Sequence, residues 1–157
     1  MTHPPRPQSF SLEGRLEAIG PAVAEVLAGC EPHLPPGADG VEVADCVALA
    51  LTEVLSNCVK HAYAGRESGP IRIETEFPPG AVTLHVRDRG RPPPLALVQS
   101  ARLPDPLSLP ESGWGWALVH RLSDRVNFER RAGWNRLTLE RRFWRYYDAE
   151  TAWTAPG

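Results

Sequence analysis

The stretch Glu53–Tyr63 places polar side chains of the kind found in active sites at the spacing of a helix. At about 100° per residue, Glu53 and Asn57 lie roughly 40° apart around the axis, and Lys60 projects between them. A long amphipathic helix is therefore predicted, and its polar strip borders the core face, where it can look into a cleft. The apolar stripe beside it comprises Val43, Val47, Ala50, Val54 and Cys58.

This polar strip has two interpretations. A carboxylate one turn before a carboxamide can accept a nucleophile's proton while the amide holds a metal ion, as phosphoryl transfer from a nucleotide–Mg²⁺ complex requires. The alternative is an ordinary helix with a polar i,i+4 pair at its edge. Lys60 can reach a phosphate or stay a solvated charge. His61 can touch a phosphate or orient Glu53, but the helix dipole alone also favours a histidine near a helix C-terminus.

A second motif ends a predicted strand. Val82, Leu84 and Val86 alternate with polar residues as in a half-buried strand, and Asp88 keeps their parity. Its carboxylate should therefore face the interior, where a buried acceptor can take the exocyclic amine of adenine. Gly90 then lets the backbone turn or lets another group approach closely. The alternative is an Asp that caps a turn before a proline run.

A third motif is a glycine loop before a helical pattern. Gly113 and Gly115 precede Trp116 and Val119, which have helical spacing. Free N–H groups and the helix dipole favour an anion at such a helix start, so a phosphate is the expected ligand. A Gly-x-Gly pair alone is also typical of a flexible turn.

In this order the three motifs resemble the ATP-binding module shared by gyrase, heat-shock protein, histidine-kinase and mismatch-repair ATPases, the GHKL or Bergerat fold. Within that group, His61-Ala-Tyr63 after the asparagine and Ala50-Leu-Thr-Glu53 before it resemble the bacterial anti-sigma-factor serine/threonine-protein kinases. The resemblance covers roughly residues 8 to 143.

The resemblance implies a role for each motif, with ATP and Mg²⁺ as cofactors. Glu53 is the expected general base, and Asn57 is the expected Mg²⁺ ligand through its side-chain oxygen. Asp88 with Gly90 is expected to bind adenine. The other expected nucleotide-binding residues are Lys60, His61, Gly113, Gly115 and Trp116.

The sequence departs from the family's pattern in two places. Trp116 stands where a smaller aliphatic residue is usual, and Trp114 lies between the two glycines. An indole at either place can narrow the phosphate pocket or stack over it. The run Arg91-Pro-Pro-Pro94 replaces the usual proline, aromatic and acidic residues. A nucleotide-gated binding module without significant kinase activity is therefore a second hypothesis.

Length and composition exclude several classes of protein. A chain of 157 residues is predicted to form one domain with a complete core. A net charge of −2 disfavours a primary role on nucleic acid, and no apolar run approaches the length of a membrane span. Three cysteines without C-x-x-C spacing or a signal peptide indicate a reducing cytoplasm. Six arginines cluster between positions 130 and 145. They either keep the outer face of the terminal strands solvated or bind an acidic partner: Arg130, Arg131, Arg136, Arg141, Arg142 and Arg145.

Local signals set the helix boundaries. Leu16–Leu27 keeps helical spacing, with Pro21 tolerated only in the first turn. Asp39 and Glu42 predict a capping box at the start of the long helix, and Gly65 can end that helix.

Alternation and turn residues predict strands in the second half. Thr138 has the opposite parity to its apolar neighbours and is expected at the surface, unless its face lines the nucleotide. His85 and His120 are interpreted as structural. The predicted strands and their final turn are Ile71–Phe77, 81–88, Val126–Phe128, Leu137–Leu139 and Ala132-Gly133.

The predicted fold is α+β, a two-layer α/β sandwich with a mostly antiparallel sheet, helices on one face and an ATP lid. Residues 1–8 are expected to be a disordered lead, 9–143 the histidine-kinase-like ATPase domain with its lid at about 91–112, and 144–157 an aromatic tail. The lid segment can also be a simple surface excursion.

By resemblance, the expected function is an ATP-dependent serine protein kinase and anti-sigma regulator that phosphorylates a small anti-anti-sigma protein of the STAS type. A sigma factor is a further expected partner, and a homodimer is implied, with no nucleic-acid or membrane partner. A detached histidine-kinase catalytic domain is a third hypothesis, disfavoured by His61-Ala-Tyr63.

Overall fold

A five-stranded antiparallel sheet covered by helices on one face forms the protein, which confirms the predicted α+β fold class. The computed structural model describes residues 5–65, 67–99 and 114–143. The strand order is β1-β2-β3-β5-β4. The strands are β1 (Gln8–Glu13), β2 (Pro70–Glu76), β3 (Ala81–Asp88), β4 (Arg125–Arg131) and β5 (Trp134–Arg142). The helices are α1 (Leu16–Cys30), α2 (Gly37–Asn57), α3 (Leu95–Gln99) and α4 (Trp114–Leu122), with a 3₁₀ turn at Glu31–His33 and a π-helical segment at Cys58–Ala62.

The core lies between the sheet and the helices. The large buried apolar residues of the central strands share one parity and point toward the helices, because alternate side chains point to opposite faces of a sheet. The apolar stripe predicted for α2 packs against them and is likewise buried. The strand residues of this core include Ile71, Ile73, Val82, Leu84, Val86, Leu137 and Leu139.

Strand β1 was not predicted, and it begins inside the segment expected to be a disordered lead. It pairs with β2 along its whole length, from Gln8 opposite Thr75 to Glu13 opposite Pro70. The Gln8 side chain donates a hydrogen bond to the carbonyl of Gly29, which ties the strand to α1. Only two apolar side chains mark this strand, which is too weak an alternation to recognise without its partner.

Two predicted helix signals were wrong. Long helix α2 begins at Gly37 after Pro36, so Asp39 lies in the first turn and caps nothing. Pro21 lies beyond the first turn of α1. Its ring normally collides with the Cβ of a preceding helical residue, but that residue is Gly20, which has none. Gly65 follows the π-helical segment with a φ of +69°, in the turn after the helix.

Thr138 is not at the surface, which corrects that prediction. Its side chain lies on the helix-free face of the sheet, is 5% exposed, and shares a hydrogen bond of 2.9 Å with Nδ1 of His85. Both residues are on central strands, whose outward side chains are shielded by neighbours on either side. The predicted hairpin turn at Ala132-Gly133 is confirmed by positive φ at both residues. Among the described helices, none is both long and apolar enough to cross a membrane.

Candidate functional site

A cavity of about 300 Å³ opens where the C-terminal part of α2 meets the ends of β3 and β5. Apolar side chains form most of its wall, and a few polar groups converge at one side, which suits a flat heterocycle with one fixed acceptor. Asn57, His61, Asp88 and Trp116, four of the predicted site residues, line it. The remaining lining residues are Val54, Cys58, Ala62, Val86, Arg91, Pro92, Pro93, Pro94, Leu97, Phe128, Asn135 and Leu137.

Asp88 is buried at the end of β3 and faces the cavity, as its strand parity predicted. Its Oδ1 accepts hydrogen bonds of 2.8 Å from the Gly90 N–H and 2.8 Å from Nδ2 of Asn135. Its Oδ2 accepts one from the Cys58 thiol at 3.5 Å. Burial, followed by the charge of Asp88 and the hydrogen bond to it, raises the pKa of Cys58 well above its ordinary range. The thiol therefore stays protonated and remains a donor.

Asn135 is a residue of the candidate site that sequence reasoning missed. It lies directly opposite Asp88 across the β3–β5 pairing, and its Nδ2 also contacts the carbonyl oxygens of Gly90 at 3.1 Å and Arg91 at 3.3 Å. Its Oδ1 accepts a hydrogen bond of 2.6 Å from Arg130. The sequence offered one signal: Asn135 is polar although it has the same strand parity as the apolar Leu137. Its place in the site becomes clear only from the register of β3 against β5.

Gly90 shapes the site by packing. A Cβ at this position would overlap the backbone carbonyl of Ala62, so the turn after β3 can approach the π-helical segment only with glycine here. The Arg91 N–H donates to that same carbonyl at 2.8 Å. π-Helical turns are frequent at functional sites, and this one places Ala62 against the turn after β3.

Tyr63 ties three segments together beside the site. Its hydroxyl donates to the Pro70 carbonyl at 2.7 Å and accepts from the Arg89 N–H at 2.9 Å. Its ring packs against Gly14 and Gly69, where an added Cβ would crowd it. The His-Ala-Tyr motif therefore has a structural basis: Ala62 and Tyr63 join the end of α2 to both ends of the β2–β3 hairpin.

Glu53 lies at the other side of the site, against the start of α4. A Cβ on Gly115 would come within 2.5 Å of Oε2 of Glu53, so the glycine leaves room for this carboxylate. Glu53 is partly buried and is not among the described residues that line the cavity. Lys60 is exposed and also lies apart from that lining. Gly113 lies outside the described residues.

Asn57 fits a polar ligand. Its Nδ2 is buried and has no hydrogen-bond partner within residues 5–65, 67–99 and 114–143, although the side chain borders the cavity. A buried amide without a partner is costly, and a bound polar group would remove that cost. The amide oxygen is of the ligand type that Mg²⁺ accepts, with substrate phosphates completing such sites. The site therefore suits a nucleotide with its metal: Asp88 at the heterocycle end, and Asn57 with Glu53 toward α4.

Comparison with known proteins supports the same fold. The family model of the histidine kinase-like ATPase domain matches residues 14–141. An anti-sigma F factor of Clostridium botulinum is 30% identical over 129 residues, which cover 78% of this chain and 82% of that protein. An anti-sigma F factor of Clostridium beijerinckii is 27% identical over 117 residues, covering 71% and 74%.

Two solved structures share the fold. The RsbU and RsbW domains of Rv1364c from Mycobacterium tuberculosis superpose with a TM-score of 0.60 and 22% identity, over 89% of this chain and 32% of that one. The histidine kinase domain of a blue-light activated histidine kinase from Erythrobacter litoralis EL346 superposes with a TM-score of 0.53 and 18% sequence identity. The match covers 80% of this chain and 61% of that one. The chain belongs to the histidine kinase-like ATPase domain family.

Proposed function

We propose that this protein is an ATP-dependent serine protein kinase that also restrains a sigma factor. The observation that carries the proposal is the arrangement along α2. Asn57 borders the cavity that contains Asp88, and Glu53, one turn earlier, lies beside Gly115 of α4. The similarity to anti-sigma F factors supports the partner class, in which a serine of a small STAS-type anti-anti-sigma protein would accept the phosphoryl group.

Each residue would have a distinct task. Bound ATP with Mg²⁺ would supply the phosphoryl group and offset the charge on its oxygens during transfer. Asp88 would accept a hydrogen bond from the exocyclic amine of adenine, with its carboxylate held by Asn135 and Cys58. Asn57 would bind the metal through its side-chain oxygen. Glu53 would accept the proton of the serine hydroxyl.

Replacement of Glu53 by glutamine tests the chemistry. Glu53→Gln keeps shape and hydrogen bonding but loses proton acceptance. ADP affinity and melting temperature should therefore persist, while phosphoryl transfer falls by ~10²–10⁴-fold. The measurement is single-turnover transfer from labelled ATP to the purified anti-anti-sigma protein, with Glu25→Gln on the exposed side of α1 as the matched variant. Transfer by Glu53→Gln at the parent rate would contradict the catalytic role.

A second candidate function is a nucleotide-gated binder without kinase activity. Trp116 is buried in the cavity wall, and Trp114, at the start of α4, is 46% exposed, so one indole lines the cavity and a second lies two residues before it. In that case nucleotide would change partner affinity without chemistry, by favouring one conformation. Tight ATP binding and ATP-dependent capture of the partner, with no label transferred by the parent protein, would favour this function over the kinase. A homodimer and a cytoplasmic location stay predictions.

A further inference from the structure

Arginines lie directly opposite one another on the helix-free face of the sheet. Arg72 of β2 pairs in register with Arg87 of β3, and Arg87 pairs with Arg136 of β5. Like charges directly opposite across strands are destabilising. In a row of three arginines in the middle of a sheet, electrostatic repulsion opposes the stability of the fold. Arrangements that lower stability in this way are expected at functional sites.

A tryptophan ring, that of Trp134, lies next to this row and contacts two of its arginines and Arg89. The guanidinium carbons of Arg72, Arg87 and Arg89 lie 5.0, 5.2 and 5.0 Å from the ring centroid of Trp134. Cation–π attraction to the indole partly offsets the repulsion among the three cations. Arg131 lies opposite Trp134 on β4 and adds a further positive charge. We call these six residues the arginine end: Arg72, Arg87, Arg89, Arg131, Trp134 and Arg136.

The charges of the arginine end are poorly neutralised. Glu74 and Glu129 are the acidic side chains that share its cavity of about 260 Å³. Glu129 lies opposite Arg136 in the β4–β5 register, but neither glutamate forms an ion pair with these arginines among the described residues. Nε of Arg136 is buried, again without a hydrogen-bond partner in the described part of the chain. By contrast, other late arginines are engaged elsewhere: Arg130 at the nucleotide site, Arg141 with Glu42, and Arg142 with Glu140.

We propose that the arginine end is a docking surface for an acidic segment of a protein partner. Guanidinium groups form bidentate hydrogen bonds with carboxylates. Carboxylates inserted between the arginines would therefore replace the repulsion among guanidinium groups by attraction to the partner. Arginine and tryptophan are also the residue types that dominate binding energy at protein interfaces. The surface spans four strands, or about 14 Å, and two rows along them, about 7 Å, which matches a short extended peptide.

Net charge favours a peptide over nucleic acid. The whole chain carries −2, so the positive field of the arginine end is local and would be opposed by the rest of the molecule along a long polyanion. The surface lies on the opposite face from Asp88 and Asn135. The inference therefore does not depend on the proposed kinase activity.

The test uses the full chain and a short fluorescein-labelled peptide of alternating glutamate and serine, with a glutamine–serine peptide as the neutral probe. Fluorescence anisotropy at low ionic strength should show saturable binding of the acidic peptide alone. The double variant Arg87→Gln/Arg136→Gln should weaken it by about tenfold or more, because charge-assisted hydrogen bonds are lost. The matched variant Arg15→Gln/Arg121→Gln, which removes exposed arginines elsewhere, should bind as the parent does.

Two further measurements keep the result interpretable. ADP affinity should be unchanged in the double variant, since the proposed nucleotide site lies on the other face. The melting temperature should not fall, because removing two like charges relieves repulsion across the strands. Trp134→Ala should also weaken peptide binding, whereas Trp134→Phe should retain most of it because a ring remains to stack the guanidinium groups.

Four outcomes would overturn the proposal. One is equal affinity of parent and double variant for the acidic peptide, and another is equal loss in the matched variant. Tighter, arginine-dependent binding of a single-stranded oligonucleotide would assign the surface to nucleic acid instead. Conversion of a dimer to a monomer by Arg87→Gln/Arg136→Gln would make it an interface between copies of this chain.

Discussion

At the residue scale, the proposed adenine end of the site depends on one carboxylate and its donors. Asp88 accepts from the Gly90 N–H, Asn135 and Cys58, so its orientation is fixed before any ligand arrives. An acceptor that is already oriented binds its ligand without the free-energy cost of reorganisation. The site therefore presents a charged acceptor in a largely apolar wall.

Asp88→Asn should weaken ADP binding by about tenfold or more, because a neutral amide is a weaker acceptor and offers an N–H where the adenine amine would point. The amide oxygen can still accept from Gly90, so the fold should persist. Calorimetric titration with ADP measures the effect, and Asp124→Asn at an exposed position is the control. Parent-like ADP affinity of Asp88→Asn would remove this residue from the site.

Asn135→Ala should lower the free energy of unfolding by about 2–4 kcal/mol, because it removes one hydrogen bond to the buried carboxylate of Asp88 and another to the Gly90 carbonyl. ADP binding should weaken in parallel. Urea denaturation gives the stability, and Asn127→Ala, an exposed position on β4, should change it by less than about 0.5 kcal/mol. Equal losses in the two variants would mean that Asn135 has no special role.

At the element scale, the π-helical segment and the turn after β3 form the critical junction. Gly90→Ala should cost about 2–3 kcal/mol, since its Cβ meets the rigid carbonyl of Ala62. Gly115→Ala is the matched contrast, because its Cβ meets only the flexible end of Glu53. That variant should be neutral or stabilising by up to about 1 kcal/mol, as alanine is favoured in a helix. Thermal melting of both proteins checks the difference, and an unchanged Gly90→Ala protein would contradict the packing argument.

The hydrophobic periodicity of the sequence correctly predicted the helix and the strands that bury a continuous stripe of apolar side chains. Helix α2 and strands β2 and β3 follow from spacing and turn residues alone, and so does the inward direction of Asp88. Strand β1 could not be predicted, because two apolar residues make a strand only beside β2. The role of Asn135 and the burial of Thr138 depend on cross-strand register, which a single sequence does not specify. The first turn of α2 was misplaced because Gly37, with a φ of +71°, starts the helix without a side-chain cap.

At the scale of the whole molecule, buried thiols link stability to alkaline pH. Burial raises the pKa of Cys30 from 9.0 to about 11. A raised pKa means that the folded state holds the proton more tightly, so this stability is fully present below pH 9 and is lost as pH rises toward 11. The free energy of unfolding should therefore fall over this interval.

Cys30→Ala separates the thiol from other groups that titrate in the same range. Its unfolding free energy should depend less steeply on pH between 9 and 11 than that of the parent, with a difference of about 2 kcal/mol or less across the interval. Urea denaturation at a series of pH values provides the comparison. Parallel pH profiles for the two proteins would contradict the assignment to Cys30.

The alternation of β3 has a consequence for how this protein can evolve. Asp88 faces the cavity of the candidate site while Arg87 and Arg89 face the other side, and on β5 Asn135 alternates in the same way with Trp134 and Arg136. Loss or gain of a single residue within either strand would exchange the two faces and drive guanidinium groups into the apolar core. Both surfaces can therefore diverge among descendants of this gene by substitution, whereas insertions and deletions are confined to the loops between the strands.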